Sequence, residues 1–222
     1  MQRTPFGKVF WLGSRINHSC LPNVNFSYNP ALKQGTFHVT RDIVAGEELT
    51  VMYINGTNRT KSQRQAELKK WGFWCSCPAC ENTLQGQKRE EKMAELFALD
   101  QALAVHAFSV TAKSLEEAHL KAQKMVSIQN SDGLVHRELR VTYHEAASYS
   151  LRTGRLRMAL LWAEKVLEVD QYCVGEDHPD YVEELEVVER LRLSAEKSKP
   201  LDKLVLDWLT LREQPTESCI VM

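Results

Sequence analysis

The chain has 222 residues, with 28 basic and 29 acidic side chains that give a formal net charge of −1. Its 43% hydrophobic content is ordinary for a globular protein and excludes collagen-like, low-complexity and wholly disordered classes. The near balance of charge argues against bulk binding of nucleic acid, and no stretch approaches the roughly 20 apolar residues that span a bilayer. We therefore expect a cytoplasmic or nuclear protein with no direct nucleic-acid partner and no transmembrane segment.

The first quarter of the chain has the pattern of short β-strands. Apolar or alternating runs at residues 9–12, 24–26, 36–39 and 49–53 are separated by Asn-Pro, Gln-Gly and Ala-Gly turn signals. From about residue 60 the hydrophobic period becomes helical. Amphipathic stretches run near residues 93–107, 114–128, 133–151, 155–172, 179–196 and 201–212. The predicted fold class is therefore α+β, with a β-rich first part and a set of antiparallel helices behind it.

One helical pair resembles a tetratricopeptide hairpin. In residues 149–170, Gly154 is placed to end the first helix, and Ala159 lies where the two helices would approach closely. Asp-His-Pro at residues 177–179 is placed to begin the next helix. A single repeat is weak evidence, because such repeats usually need neighbours to bury their faces.

Two charged segments cancel in the net charge. Residues 59–70 carry five basic side chains and one glutamate, and residues 164–189 carry ten acidic side chains and one lysine. We predict a solvated helix face for each. The alternatives are a nucleic-acid site for the first and an attraction for a basic protein tail for the second.

Three cysteines, Cys75, Cys77 and Cys80, lie within six residues. In a reducing compartment this spacing favours a metal site over disulfides, and Zn²⁺ takes four tetrahedral ligands with thiolates at about 2.3 Å. The fourth ligand must come from elsewhere in the fold, and Cys20, which follows a polar turn, is the best candidate. Fortuitous thiols are the alternative.

Two further motifs precede the cysteine cluster. Residues 15–23 read Arg-Ile-Asn-His-Ser-Cys-Leu-Pro-Asn, and residues 40–53 read Thr-Arg-Asp-Ile-Val-Ala-Gly-Glu-Glu-Leu-Thr-Val-Met-Tyr. In this order the three motifs resemble the C-terminal half of a SET domain followed by its post-SET zinc motif. With the helical tail, the chain is similar to the SET-and-MYND-like lysine methyltransferases and their fungal SET-domain relatives. The resemblance covers residues 5–81 strongly and residues 90–212 loosely.

The resemblance implies roles for individual residues. Asn17 and His18 match the pair that contacts S-adenosylmethionine, and Tyr53 matches the catalytic tyrosine, which also borders this cofactor. Phe73 matches an aromatic residue that covers the adenine and lines the lysine channel, with Trp71 a candidate for the same wall. The four cysteines match the zinc quartet. Taken alone, each residue has a simpler reading as a packing, capping or surface residue.

The implied fold is a partial SET β-fold with a post-SET zinc site, followed by an α-helical tetratricopeptide-like domain. The expected divisions are the C-terminal half of SET at residues 1–58, the zinc segment at 59–82, the helical domain at 83–213 and a tail at 214–222. No Gly-x-Gly occurs in the sequence, whereas the family's N-terminal SET half carries one for the cofactor. The resemblance therefore also implies that this half is missing.

The implied function is S-adenosylmethionine-dependent methyl transfer to a lysine of a histone or non-histone protein, and activity of this chain on its own stays open. The alternative is a helical interaction module that binds a peptide partner and carries a zinc-stapled SET remnant. Cys219 begins a Cys-Ile-Val-Met terminus that fits a prenylation signal, which would give at most a weak lipid anchor. A coincidental match is the alternative. The substrate lysine, the methylation degree and the oligomeric state have no signature in the sequence.

Overall fold

The computed structural model describes residues 11–56, 58–106, 111–132, 136–197 and 200–210. Short strands come first and helices follow, which confirms the predicted α+β composition. The strands are β1 (Asn17–His18), β2 (Val24–Asn29), β3 (Gln34–Val39) and β4 (Thr50–Val51). The helices are α1 (Lys61–Leu68), α2 (Leu84–His106), α3 (Ala112–Asp132), α4 (Arg137–Arg152), α5 (Leu156–Cys173), α6 (Pro179–Lys197) and α7 (Lys203–Thr210).

The described strands form two small sheets. β1 runs parallel to β4, with Asn17 opposite Thr50. β2 and β3 form an antiparallel hairpin, in which Phe26 lies opposite Phe37 with ring centroids 5.0 Å apart. Such cross-strand aromatic pairs stabilise a hairpin. The parallel pair matters most for function, because it joins two segments that are far apart in sequence.

Residues 11 and 12, which are the described half of the strand predicted at residues 9–12, do not form a strand. Val9 and Phe10 lie outside the described residues, while Trp11 and Leu12 form a turn before a 3₁₀ helix at Gly13–Arg15. Both turn residues are largely exposed. Apolar composition did not make a strand here because a strand also needs a hydrogen-bonded partner, and the turn leads directly into a helical segment.

Helix α1 has the predicted solvated face at residues 59–70 on one side only. The helix begins with a capping box, in which the Thr60 hydroxyl accepts from the Gln63 amide and the Gln63 side chain accepts from the Thr60 amide. Its inner side is buried, with Arg64 1% and Leu68 0% exposed. Only one side of α1 is solvated, because the other packs against the cysteine segment.

The larger core lies among the long helices. From α2 to α6, each helix packs against the next one in the chain. Gly154 has φ +77° between α4 and α5, a left-handed conformation that favours glycine, and Ala159 is fully buried. Helix α6 begins at Pro179, as predicted. The turn positions are therefore confirmed, while the tetratricopeptide assignment and the domain divisions stay predictions.

A buried ion-pair cluster joins α4, α5, α6 and α7. Arg140 Nε lies 2.6 Å from Asp170 Oδ2, and its Nη2 lies 2.9 Å from Glu184 Oε2. Trp208 Nε1 donates to the same Glu184 oxygen over 2.9 Å. Burial raises the pKa of Glu184 to about 7, although Arg140 acts in the opposite direction. One guanidinium therefore compensates two carboxylates that water does not reach.

The helical part also contacts the hairpin. Asn25 Nδ2 donates to the Cys173 carbonyl over 2.6 Å, at the end of α5. In the loop that follows, Gly175 has φ +89°, and a Cβ there would lie 2.7 Å from Cε1 of His38. The left-handed conformation and the nearby His38 ring both favour glycine at this position.

Within the described ranges, no helix combines the length and the apolar character that crossing a membrane requires. Cys219, the predicted lipid-anchor residue, lies outside the described residues. The anchor therefore stays a prediction.

Replacing Arg140 with methionine should destabilise the helical part by about 3–5 kcal/mol, because two buried carboxylates lose their counter-charge. Urea unfolding followed by circular dichroism would measure the loss. Arg192→Met is the matched control, since Arg192 forms a partly exposed pair with Glu164 and should cost less than about 1 kcal/mol. Equal losses in the two variants would contradict the role given to Arg140.

Candidate cofactor pocket and cysteine site

The parallel pairing of β1 with β4 brings the predicted site residues together. Ser19 N donates to the Val51 carbonyl over 3.1 Å and continues the pairing beyond β1. Tyr53 then lies beside His18, whose Nδ1 accepts from the Tyr53 amide over 3.1 Å. The Tyr53 hydroxyl donates to the carbonyl of Ile16. The hydroxyl proton is thereby engaged, and the oxygen keeps its lone pairs for an incoming donor.

Aromatic rings form a wall around Tyr53. The Tyr53 ring lies 5.0 Å from Trp71 and 6.3 Å from Phe73, the latter edge to face. The His18 ring lies 5.4 Å from Tyr53 and 5.9 Å from Phe73. Burial raises the pKa of the Tyr53 hydroxyl, so this residue remains protonated at neutral pH. The wall therefore offers apolar surface and one neutral hydroxyl.

His18 connects this wall to the cysteines. Burial lowers its pKa to about 4, so the ring is neutral at physiological pH. Because Nδ1 accepts from the Tyr53 amide, the proton of the neutral ring resides on Nε2. Nε2 lies 3.4 Å from Sγ of Cys20, to which it donates. Both ring nitrogens are thus engaged within the protein, and only the ring face and main chain of His18 are available to a ligand.

A cavity of about 430 Å³ opens between the β1–β4 pair and the cysteine segment. This volume falls within the range of small-molecule sites, about 300–1,000 Å³. The four residues predicted to contact cofactor, Asn17, His18, Tyr53 and Phe73, all line it. Trp71 does not line the cavity and supports the wall from behind Tyr53.

The electrostatic character of the cavity suits a cationic ligand. Glu48 lines it, and its Oε1 accepts from Asn17 Nδ2 over 2.6 Å. No lysine or arginine occurs among the described residues of the lining. The cavity therefore presents a carboxylate and aromatic faces, both of which attract positive charge.

The buried side chain of Asn23 binds the segment that leads into β4. Its side chain is 2% exposed, donates to Glu47 Oε1 and to the Glu48 carbonyl, each over 2.9 Å, and accepts from the Thr50 amide over 2.8 Å. Asn23 therefore fixes the segment that leads into β4. The sequence motifs include Asn23, but nothing in their local pattern indicates that the side chain is buried.

The four predicted zinc ligands converge on one point. The sulfur atoms of Cys20, Cys75, Cys77 and Cys80 all lie within 4.8 Å of one another. Cys20 Sγ is 3.9 Å from that of Cys75 and 3.6 Å from that of Cys80. A tetrahedron with Zn–S bonds of about 2.3 Å has S···S edges of about 3.8 Å. The donor set and its spacing therefore fit a tetrathiolate metal centre.

Main-chain groups support the same arrangement. The Cys20 amide donates to Cys77 Sγ over 3.4 Å, and the Cys77 amide donates to Cys75 Sγ over 3.5 Å. Burial raises the pKa of the Cys75 thiol to about 11, whereas neighbouring thiols donate to Cys77 and lower its pKa. Four sulfurs this close cannot all carry charge without a cation among them.

Helix α1 supports the cysteine segment from beneath. The Gln65 side chain pairs with the backbone of Cys75 at both groups, donating to its carbonyl over 2.7 Å and accepting from its amide over 3.1 Å. Arg64 lies beside it with Nη2 3.9 Å from Cys80 Sγ. Sequence reasoning missed both residues, because it predicted a solvated helix face for residues 59–70 and no buried side chain on the opposite face.

Asn23→Ala should destabilise the strand part by about 2–3 kcal/mol, since the Thr50 amide and the Glu48 carbonyl lose their buried partner. The loss should appear as a lower unfolding temperature and as faster amide hydrogen exchange in residues 47–53. Asn55→Ala, at an exposed position near the same strand, is the control and should change neither. Unchanged exchange in Asn23→Ala would remove Asn23 from the support of the cavity.

Comparison with known proteins identifies the strand part. The family model described as SET domain matches residues 4–54. Histone-lysine N-methyltransferase set5 of Schizosaccharomyces pombe is 45% identical over 74 residues, which cover 33% of this chain and 23% of that protein. SET5 of Scheffersomyces stipitis is 41% identical over 85 residues, 37% of this chain and 18% of the relative. SET5 of Yarrowia lipolytica is 33% identical over 112 residues, 50% of this chain and 24% of the relative.

The aligned regions thus make up about a quarter or less of these relatives' own length. Within the matched part, the similarity includes the segments that carry Asn17, His18 and Tyr53. The chain therefore contains a SET-domain segment and is homologous over part of its length to the SET5 histone-lysine N-methyltransferases.

Proposed function

We propose that this chain serves S-adenosylmethionine-dependent methylation of protein lysines, on a histone or another protein. The observation that carries the proposal is that Asn17, Tyr53, Phe73 and Glu48 line one cavity beside the four cysteines. The names of the SET5 relatives support the same reaction class. The SET-and-MYND-like subtype, the post-SET motif and the tetratricopeptide-like character of the helices belong to this proposal.

S-adenosylmethionine, when bound, supplies an electrophilic methyl group on a sulfonium cation. Phe73 offers an aromatic face for an adenine ring, and Asn17 and Glu48 offer polar groups at the other wall. The carboxylate of Glu48 would stabilise positive charge in the cavity. The cavity volume and the carboxylate of Glu48 support the proposed cofactor.

The aromatic wall would prepare the lysine for attack. A lysine amine has a reference pKa of about 10.4, so its deprotonation near pH 7.4 costs on the order of 4 kcal/mol. Phe73 and Tyr53 line the cavity with aromatic surface, and Trp71 packs on Tyr53; this apolar surface would favour the neutral amine by desolvation. The acceptor lone pairs of Tyr53 would then orient the amine for in-line attack.

We propose that Zn²⁺ occupies the four-cysteine site and that it has a structural role. The cysteines and the aromatic wall share one small core, which includes Cys20, Ile54, Leu68 and Cys75, with Phe73 packed against it. A metal there would join the Cys20 segment to the Phe73 segment and close the cavity wall. All four ligand positions are filled by sulfur, which leaves none for a reacting water.

The first test is the binding of S-adenosylmethionine to the zinc-loaded chain, measured by calorimetry. Tyr53→Phe should keep its affinity within about twofold, because the cofactor contacts of Asn17 and Phe73 remain. Transfer of a radioactive methyl group to core histones should fall on the order of 100-fold, because the amine loses its acceptor. Tyr172→Phe, at an exposed position on α5, is the control and should change neither quantity.

Absence of cofactor binding by folded, zinc-loaded protein would contradict the methyltransferase proposal. The helical interaction module would then be the better interpretation. Binding with equal transfer rates in Tyr53→Phe and the unmodified chain would contradict only the role given to Tyr53.

The second test is the metal content of the purified chain, for which we expect about one zinc per chain. Cys77→Ser should lose this zinc, because a hydroxyl is a poor ligand for it. Cys173→Ala is the matched control, since Cys173 is a buried free thiol on α5 outside the site. Zinc retained in Cys77→Ser, or lost in Cys173→Ala, would contradict the assigned ligands.

A further inference from the structure

Helix α1 places a buried cation beside the cysteine site. The Arg64 side chain is 1% exposed, and its Nη2 lies 3.9 Å from Cys80 Sγ. The same nitrogen donates to the Ala79 carbonyl over 3.3 Å, and Nη1 donates to the Arg59 carbonyl. These two carbonyls orient the guanidinium but supply no negative charge.

A buried guanidinium requires a counter-charge, and the structure offers two sources. Glu90 on α2 is the nearest carboxylate, with its Oε2 4.0 Å from Arg64 Nη1. Both oxygens of Glu90 already accept from the Lys61 amide, over 2.7 and 2.8 Å, at the start of α1. Arg64 Nε has no hydrogen-bond partner among the described residues. The carboxylate therefore compensates Arg64 only in part, and the cysteine sulfurs are the other negative groups within reach.

The cysteine site, when it holds a metal ion, also requires a counter-charge. A Zn²⁺ ion with four thiolates carries a net charge of −2, and removing such a charge from water is costly unless a cation lies near it. Arg64 is therefore the buried cation that the structure sets against the sulfurs.

We propose that Arg64 is a positioning residue that compensates the negative charge of the metal-loaded cysteine site and thereby raises its affinity for zinc. This inference rests on the proposed zinc site. Glu90 lowers the zinc affinity of the site, because its carboxylate competes with the sulfurs for the Arg64 guanidinium and adds negative charge nearby. A role limited to hydrogen bonding between loops would not produce opposite effects at Arg64 and Glu90.

The experiment measures the apparent zinc dissociation constant of the full chain by competition with a chromophoric chelator at fixed pH and salt. Arg64→Met should weaken zinc binding on the order of 10- to 100-fold, the range typical of residues that support metal ligands. Arg64→Lys should restore part of this loss, because it returns the charge without the planar fork. Glu90→Gln should bind zinc more tightly than the unmodified chain, since the competing carboxylate charge is removed while its amide oxygen can still cap α1.

Arg59→Gln is the matched control, because it removes a partly exposed guanidinium from the same segment and should leave zinc affinity within about twofold.

Unchanged affinity in Arg64→Met, with one zinc in the unmodified chain, would overturn the role of Arg64 and leave the zinc site standing. Equal weakening in Arg64→Met and Glu90→Gln would overturn it as well, in favour of a purely structural link. If Arg64→Met does not fold, weaker binding in Glu90→Gln still overturns the proposal. An unmodified chain that binds no zinc would overturn the site and the inference together.

Discussion

The convergence of Cys20 with Cys75, Cys77 and Cys80 is the constraint on which the strand part depends. The described sheets are two-stranded, and sheets this small are marginal by themselves. Their core is also small, and cysteines make up half of its six buried residues. The contact between Cys20 and Cys75, which are 55 residues apart in sequence, therefore stabilises a part of the fold that such small sheets hold only weakly. It fixes Phe73 against His18 and Tyr53, and so defines the cavity.

The helical part holds this arrangement from two sides. On one side, Glu90 caps α1, and Gln129 on α3 donates to Asn58 Oδ1 over 2.9 Å in the loop after Tyr53. On the other side, the end of α5 accepts from Asn25 in the hairpin. The buried cluster around Arg140 keeps four helices in one arrangement beneath these contacts. Contacts from α2, α3 and α5 thus support the segments around the cavity.

Local patterns predicted the helices well, because each long helix carries its own hydrophobic period and turn residues such as Gly154 and Pro179. They predicted the strands less well: β2, β3 and β4 overlap predicted runs, whereas β1 has no pattern of its own and exists only through its pairing with β4. The grouping of Asn17, Tyr53 and the cysteines came from a family resemblance, which carries long-range information that periodicity lacks. Arg64 was misassigned for a related reason: charge normally indicates solvent, and only the tertiary structure reveals an anionic partner for a buried cation.

The close approach of Gly175 to His38 has a mechanical consequence. The backbone of the α5–α6 loop lies so close to the His38 imidazole that a Cβ at residue 175 would approach Cε1 to 2.7 Å. A shift of the α5–α6 loop toward the strands would be passed to β3, and through its partner β2 toward Asn23, which holds β4 beside the cavity. The helices and the cavity are thus connected by a short series of contacts, which runs from the α5–α6 loop through the hairpin to Asn23 and β4.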